Sequence, residues 1–377
     1  MKSFYPILVL FISTIIFVSC NQSNQPENND KAMKSDSITN PLLEEFNTPF
    51  HVAPFDKIKV EHYIPAIKAA IEAQNQEIQA IITNPEAPNF ENTLVAFDNS
   101  GELLSRVSGV FDNLSSSMLT DEMKAITEEI IGLISNHSSS IYLNEKLFSR
   151  IKTVYDADQS SLNKEQHALL EKVYKKFVRG GTNLSGEQKD RFKAITEKLA
   201  KLTNTFGQNV LEETNAYQLV IDKVEDLSGL PESVIAAAAE TGTELNMEGK
   251  WVFTLQKPSM IPFLQYADNR DLRKNIFTAY INRANNNNEF DNKSIIQEII
   301  KLRQEKAKIL GFNNNAEFIL AENMAKTPDA VFELLNKLMP PALEMAKKEA
   351  GELQAIIDKE GSNFKLEPWD WWYYAEK

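Results

Sequence analysis

The side chains best suited to hold a catalytic metal ion are the four histidines, His51, His62, His137 and His167, and they are scattered along the chain. A zinc site needs neutral imidazoles that converge on one ion, and a helix provides them through the spacing His-x-x-x-His. No two of these histidines are four residues apart. We interpret His62, which follows Glu61 at a predicted helix start, and His51, in a loop, as packed or solvent-facing side chains. The sequence therefore predicts no metal ligand and no catalytic residue within this chain.

Motifs for other kinds of chemistry are not found either. The sequence contains no G-x-S-x-G motif, and Cys20 is its single cysteine. It has no Walker loop and no G-x-G-x-x-G for binding phosphates. The net charge is −13, without a stripe of lysines and arginines, so a nucleic acid is not expected as a partner.

Cys20 lies at the end of a segment that is typical of protein export. Lys2 precedes an apolar run at 4–18, which is too short to span a bilayer comfortably, and a small residue then precedes Cys20. This arrangement resembles a bacterial lipoprotein signal, with residues 1–19 as the signal peptide and Cys20 as the lipid-anchored first residue. The polar stretch 20–40 is predicted to be a flexible tether. We expect a protein of the cell envelope, anchored to a membrane at its periplasmic or outer face; the alternative is a secretory peptide with an incidental cysteine.

The remainder of the chain, 41–377, has the apolar periodicity of helices. Isoleucines at positions 64, 67, 71, 78 and 81 recur at intervals of three, four and seven residues, which predicts an amphipathic helix. Similar stripes predict helices over 192–210 and 295–309. Another begins near 331, where the pair Pro340-Pro341 predicts a kink or a restart.

Two short segments break the helical pattern. Residues 217–221, YQLVI, and 251–255, WVFTL, alternate between apolar and polar side chains with a period of two. They predict a pair of strands. Because an isolated pair of strands is only marginally stable, we expect this pair to pack against helices. The predicted fold class is therefore mostly α, a helical bundle-like lobe with one small β element.

Several long stretches resemble a known family. They include NPLLEEFNTPFHVAPFDKIKVEHYIPAIKAAIEA, KWVFTLQKPSMIPFLQYADNRDLRKNIFTAY, QEIIKLRQEKAKILGF and the closing PWDWWYYAEK. Together they resemble the thimet-oligopeptidase family of zinc metallopeptidases, and most closely its peptidyl-dipeptidase branch. The resemblance extends from about residue 40 to residue 377.

The resemblance implies a two-lobed helical enzyme with a deep channel that admits short, unfolded peptides. It also implies a catalytic Zn²⁺ held by a His-Glu-x-x-His helix, which in the family lies beyond the point that matches Lys377. We therefore expect 41–377 to be the N-terminal part of a monomeric peptidyl-dipeptidase, truncated before the zinc region and inactive alone. On this interpretation the chain itself binds no zinc, and its partners are short peptide substrates and the membrane.

Two alternatives remain open at this point. The chain could be a non-catalytic helical surface lipoprotein that binds peptides or glycans, or the remnant of a broken reading frame. The closing PWDWWYYAEK reads as the start of a helix, whereas natural termini commonly fray into polar residues. We expect its aromatic side chains to be partly bare in this chain, as an exposed apolar patch.

Overall fold

Helices make up nearly all of the secondary structure in the computed structural model, which describes residues 40–377. The first seven are α1 (Tyr63–Thr83), α2 (Ala96–Asp98), α3 (Glu102–Ser117), α4 (Asp121–Tyr142), α5 (Glu145–Asp156), α6 (Lys164–Arg179) and α7 (Gly186–Ala216). The next seven are α8 (Glu232–Glu244), α9 (Lys257–Tyr266), α10 (Arg270–Ile281), α11 (Lys293–Ile309), α12 (Asn315–Leu320), α13 (Pro328–Lys359) and α14 (Trp371–Glu376). Five short 3-10 or π-helical segments lie before or between these helices, and two strands, β1 (Leu219–Ile221) and β2 (Trp251–Phe253), form a small sheet. This composition confirms the predicted fold class.

The predicted stripe of isoleucines forms the buried face of α1. Ile67, Ile78 and Ile81 are at most 5% exposed, and the helix packs against α3, α4 and α5. Its two ends contribute to different core clusters, one shared with α3 and α4 and the other with α5 and α6. Burial of this apolar area is the main force that holds the first six helices together.

The long helix α7 packs against both α4 and α11. It therefore connects the N-terminal helices of the described region with the C-terminal ones. Its contact with α11 includes two ion pairs. Arg191 binds both carboxylate oxygens of Glu305, at 2.6 and 2.7 Å, and Lys198 lies 2.6 Å from Glu298. These side chains are partly exposed, so each pair adds little stability and mainly fixes the alignment of the helices.

The two strands pair antiparallel, as predicted, with Leu219 opposite Phe253 and Ile221 opposite Trp251. The pair does not stand alone, because β2 packs against α8 and α9. Phe253 is 1% exposed, and its ring lies 4.6 Å from that of Phe263 on α9. This packing supplies the helical support that an isolated strand pair needs.

We predicted a kink or a restart at Pro340 and Pro341; helix α13 continues through both prolines, so the restart is wrong and the kink stays a prediction. Prolines remove two backbone N–H donors and leave carbonyl oxygens one turn earlier without helical partners. All residues from 332 to 349 are exposed, so water can satisfy those carbonyl groups. The helix therefore tolerates a proline pair that a buried helix would not.

Within residues 40–377, no helix has both the length and the apolar character required to cross a membrane. The predicted signal peptide, Cys20 and almost all of the predicted tether lie outside the described residues. The lipid anchor at Cys20 thus stays a prediction.

Candidate functional site

Each of the four histidines forms a hydrogen bond with another residue of the chain. His62 Nδ1 accepts from the backbone of Lys59, at 3.0 Å, and burial lowers the pKa of His137. The other three histidines form side-chain contacts, which are His51 with the carbonyl oxygen of Phe46, His137 with Gln74, and His167 with Gln159. Among residues 40–377, no three His, Cys, Asp or Glu side chains lie close enough together to hold a metal ion. The described side chains therefore do not fit a catalytic zinc site.

Two of the five aromatic side chains in the C-terminal segment are packed, which corrects for these two our prediction of partly bare rings. Tyr373 and Tyr374 are 9% and 4% exposed and share a small core cluster with Leu353 and Ile357 of α13. Trp372 is 40% exposed and the other two tryptophans of the segment are partly exposed, so these three rings match the prediction of partly bare side chains. For the two tyrosines the prediction is wrong, because they pack against residues of their own chain.

A buried carboxylate fixes this segment to α10. Asp370 is fully buried and accepts hydrogen bonds from Arg270 Nε, at 3.0 Å, and Arg270 Nη2, at 2.8 Å. Arg273 Nη2 donates to it at 3.0 Å, and the backbone N–H of Glu367 donates at 3.1 Å. We call Asp370, Arg270 and Arg273 the Asp370 clamp.

Arg273 is only 1% exposed, so its charge needs partners inside the protein. Besides Asp370, its Nη1 donates to the carbonyl oxygens of Ala267, at 2.7 Å, and Asp268, at 3.2 Å. The Tyr373 ring covers the guanidinium group, with 4.0 Å between the guanidinium carbon and the ring centroid. Most polar atoms of the clamp are therefore satisfied within the chain, as expected of a structural element.

A second link connects α14 to the loop after α9. The hydroxyl group of Tyr373 donates to Asp268 at 2.7 Å, and that of Ser228 donates at 2.6 Å. These two hydrogen bonds stabilise the carboxylate and lower the pKa of Asp268. Burial raises the pKa of Tyr373, so its hydroxyl group stays a donor at neutral pH.

The N-terminal part of α13 presents a series of exposed apolar side chains. We call this surface the α13 apolar face, and its main members are Phe332, Leu335, Leu338, Met339 and Leu343, each 50–68% exposed. Their spacing of three or four residues places them along one side of the helix. An apolar surface of this kind is typical of a site that binds another polypeptide.

Charged side chains occupy the opposite side of the same segment. Lys337 lies 2.6 Å from Glu333, one turn away, and Lys348 lies 3.8 Å from Glu352. The segment is thus amphipathic although neither side is buried in this chain. Its C-terminal end is anchored, because Leu353 and Ile357 pack against Tyr373 and Tyr374.

Sequence reasoning did not identify the residues of the Asp370 clamp. One signal could have found them, because Asp370 lies between Trp369 and Trp371, and a single charge in an aromatic run requires a buried partner. Arg270 and Arg273 are three residues apart and therefore share a face of α10. The contact between Asp370 and the two arginines could not be predicted from the sequence, because it joins positions about 100 residues apart.

Comparisons with known proteins agree with the resemblance found in the sequence. The sequence model of peptidase family M3 matches residues 263–377, and this range includes the Asp370 clamp and the α13 apolar face. The chain is 34% identical to a dipeptidyl carboxypeptidase of Escherichia coli over 339 residues, which are 90% of this chain and 50% of that protein. It is 35% identical to a dipeptidyl carboxypeptidase of Salmonella typhimurium over 340 residues and 31% identical to oligopeptidase A of Escherichia coli over 345 residues.

The chain spans about half the length of each of these relatives. The identity extends over 90% of the chain and is not confined to the part that matches the family model. The relatives include both dipeptidyl carboxypeptidases and oligopeptidases.

Proposed function

Because this chain is related to the peptidases of family M3, we propose that it supplies the N-terminal half of a zinc metallopeptidase. The proposed enzyme releases dipeptides from the C-terminus of short, unfolded peptides. The observation that carries the proposal is the 34% identity to a dipeptidyl carboxypeptidase over 90% of the chain. This identity is slightly higher than the 31% found with oligopeptidase A, which favours dipeptide release over internal cleavage.

In this proposal the zinc ligands are provided by a part of the protein other than residues 40–377, since those residues offer no suitable set. The role of this chain is then to form one wall of the channel and to hold the half that carries the metal. No step of the reaction is assigned to a side chain of this half.

The α13 apolar face is the surface that we propose for contact with the other half. It carries five exposed apolar side chains on a helix whose opposite side is charged. The Asp370 clamp and the cluster around Ile357 hold the C-terminal end of that helix in place. A rigidly anchored apolar helix suits a stable contact between two halves of one protein.

A fusion protein tests the proposal directly. The chain is joined after Lys377 to the half of the Escherichia coli dipeptidyl carboxypeptidase that it does not match, and the product is loaded with zinc. Mass spectrometry then follows cleavage of an N-acetylated tetrapeptide with a free C-terminal carboxylate. We expect release of the C-terminal dipeptide by the fusion and no cleavage by either half alone.

Two controls sharpen this experiment. A C-terminally amidated tetrapeptide should be cleaved poorly by a peptidyl-dipeptidase and readily by an internal oligopeptidase. Changing Leu338 and Met339 to lysine in the fusion should lower activity, whereas changing Glu333 and Lys337 to glutamine should not. A folded, zinc-loaded fusion that cleaves no peptide would refute the proposal, as would equal cleavage by this chain alone.

We further propose that the protein is attached to a membrane of the cell envelope through a lipid on Cys20. The support is the sequence around this residue, which resembles a lipoprotein signal. The test is fractionation of cells that express the wild type or Cys20→Ser, combined with protease treatment of intact cells. We expect the wild type in the membrane fraction and the variant outside it, and a cytosolic wild-type protein would contradict this proposal.

A further inference from the structure

A short loop ahead of α1 holds an aromatic side chain almost entirely in solvent. We call residues 48–55 the Phe50 loop. Phe50 is 96% exposed, and Val52 and Phe55 are 50% and 44% exposed. Single exposed apolar side chains are common on protein surfaces, but three of them in one short loop are a feature of binding surfaces.

The backbone of this loop is fixed in a conformation that costs free energy. Phe50 and His51 both have positive φ angles, 58° and 54°, which residues other than glycine rarely adopt. The hydroxyl group of Thr48 donates to the carbonyl oxygen of Val52, and His51 Nδ1 lies 3.1 Å from the carbonyl oxygen of Phe46. The loop is therefore a preformed projection, which loses little conformational entropy when it binds a partner.

The Phe50 loop lies where the predicted tether joins the folded part of the chain. Leu42 is fully buried two residues after Asn40, the first described residue, and it shares a core cluster with Phe46. Ala53, within the loop, packs against the same cluster. A lipid on Cys20 would keep this end of the molecule within about 70 Å of the membrane, the length of the fully extended tether. A membrane surface is thus the partner that the loop meets at a high effective concentration.

Charged side chains next to the loop indicate which kind of lipid surface it fits. Glu44, Glu45 and Asp56 are exposed, and Lys57 is the exposed cation beside them. The surroundings of the loop are therefore net negative and are repelled by anionic lipids. They are compatible with lipids whose headgroups carry no net charge.

We propose that the Phe50 loop inserts the side chains of Phe50 and Val52 into the surface of a membrane of zwitterionic lipids. An aromatic ring is suited to the boundary between the headgroups and the hydrocarbon. The inference rests on the proposed lipid attachment at Cys20, because two apolar side chains alone bind a membrane only weakly. Together, the lipid and the loop give two points of contact, which orient the helical body on the membrane.

A fluorescent label on the loop tests the proposal. In the lipid-anchored protein the sulfur of Cys20 carries the lipid, so Val52→Cys provides the free thiol for the environment-sensitive fluorophore NBD. The labelled whole protein is purified from cell membranes, its lipid is verified by mass spectrometry, and it is reconstituted into phosphatidylcholine vesicles. We expect a blue shift of NBD emission and quenching by lipids spin-labelled near the headgroup. A label on Ser233→Cys, an exposed position on α8, should show neither effect.

Two substitutions in the Val52→Cys background identify the contact. Phe50→Ser should remove most of the blue shift, whereas Asn47→Ser, at an exposed polar position beside the loop, should leave it unchanged. Circular dichroism checks that each variant is folded.

The possible outcomes separate this inference from the proposals on which it builds. If emission from Val52→Cys equals that from Ser233→Cys in lipid-anchored protein, the inference is overturned and the lipid attachment stands. A protein that carries no lipid would refute the attachment and the inference with it. A label on Val52→Cys that is already shifted to the blue in the fusion protein without vesicles would place the loop against the other half of the peptidase, which also overturns the inference.

Discussion

At the scale of single residues, Asp370 is the side chain on which the C-terminal segment depends most. It is fully buried and neutralises Arg273, which is itself only 1% exposed. Asp370→Asn leaves that cation without a counter-charge inside the protein, and breaking a buried pair in this way costs about 3–5 kcal/mol. We expect a loss of that size in the free energy of unfolding, measured by urea titration with circular dichroism.

Glu376→Gln is the matched control for this variant. Glu376 accepts hydrogen bonds from Gln265 and Tyr266, both at 2.9 Å, but it is exposed. Its replacement should change the free energy of unfolding by less than about 1 kcal/mol. If the two variants lost equal free energy of unfolding, burial of the Asp370 clamp would not be what determines its contribution to stability.

Asp291 should make the stability of the loop before α11 depend on pH. Hydrogen bonds from the side chain of Lys293, at 2.7 Å, and from its backbone N–H, at 2.9 Å, lower the pKa of Asp291 to about 2. Because the folded-state pKa is depressed, the carboxylate stabilises the fold above the ordinary pKa of about 4 and loses this effect as the pH falls towards 2. The wild type should therefore be more stable than Asp291→Asn at pH 6, and the difference should shrink in unfolding titrations below pH 4. A difference that stays constant down to pH 2 would contradict this assignment.

At the scale of elements, α13 is a helix whose two ends have different roles. Changing Leu335 and Leu338 to lysine should leave the free energy of unfolding within about 0.5 kcal/mol, because both side chains are already exposed. The same change should raise solubility, since it removes part of an exposed apolar surface. Chemical denaturation and precipitation by ammonium sulfate measure the two effects.

Ile357→Lys is the control from the same helix. Ile357 is fully buried among Leu353, Tyr373 and Tyr374, so a lysine there places a charge inside a core cluster. We expect a loss of several kcal/mol. If the exposed and buried substitutions destabilised the chain equally, the N-terminal part of α13 would have to be packed in solution.

The elements also show what the sequence could and could not predict. The stripe of isoleucines in α1 and the period of two in β1 and β2 are local patterns, and both predictions are confirmed. The continuation of α13 through Pro340 and Pro341 depends on solvent exposure, which the sequence does not specify. The burial of Tyr373 and Tyr374 depends on contacts with α9 and α13 across the chain, so it could not be derived from a local pattern.

At the scale of the whole molecule, the core of residues 40–377 is divided among four clusters, and the N-terminal part of α13 belongs to none of them. Helix α1 contributes to two clusters, whereas residues 332–349 are exposed throughout. Backbone amides open most readily where few apolar contacts are buried. In hydrogen exchange followed by mass spectrometry, we therefore expect peptides from 332–349 to exchange much faster than peptides from α1.

The same measurement on the fusion protein tests whether the exposed helix is the contact surface that we propose. Contact with the other half should slow exchange over 332–349 and leave α1 unchanged, because α1 is already buried. Slow exchange of this segment in the chain alone would show that α13 already has a partner there. Fast exchange in an active fusion would move the contact between the halves to another surface and leave the α13 apolar face without that role.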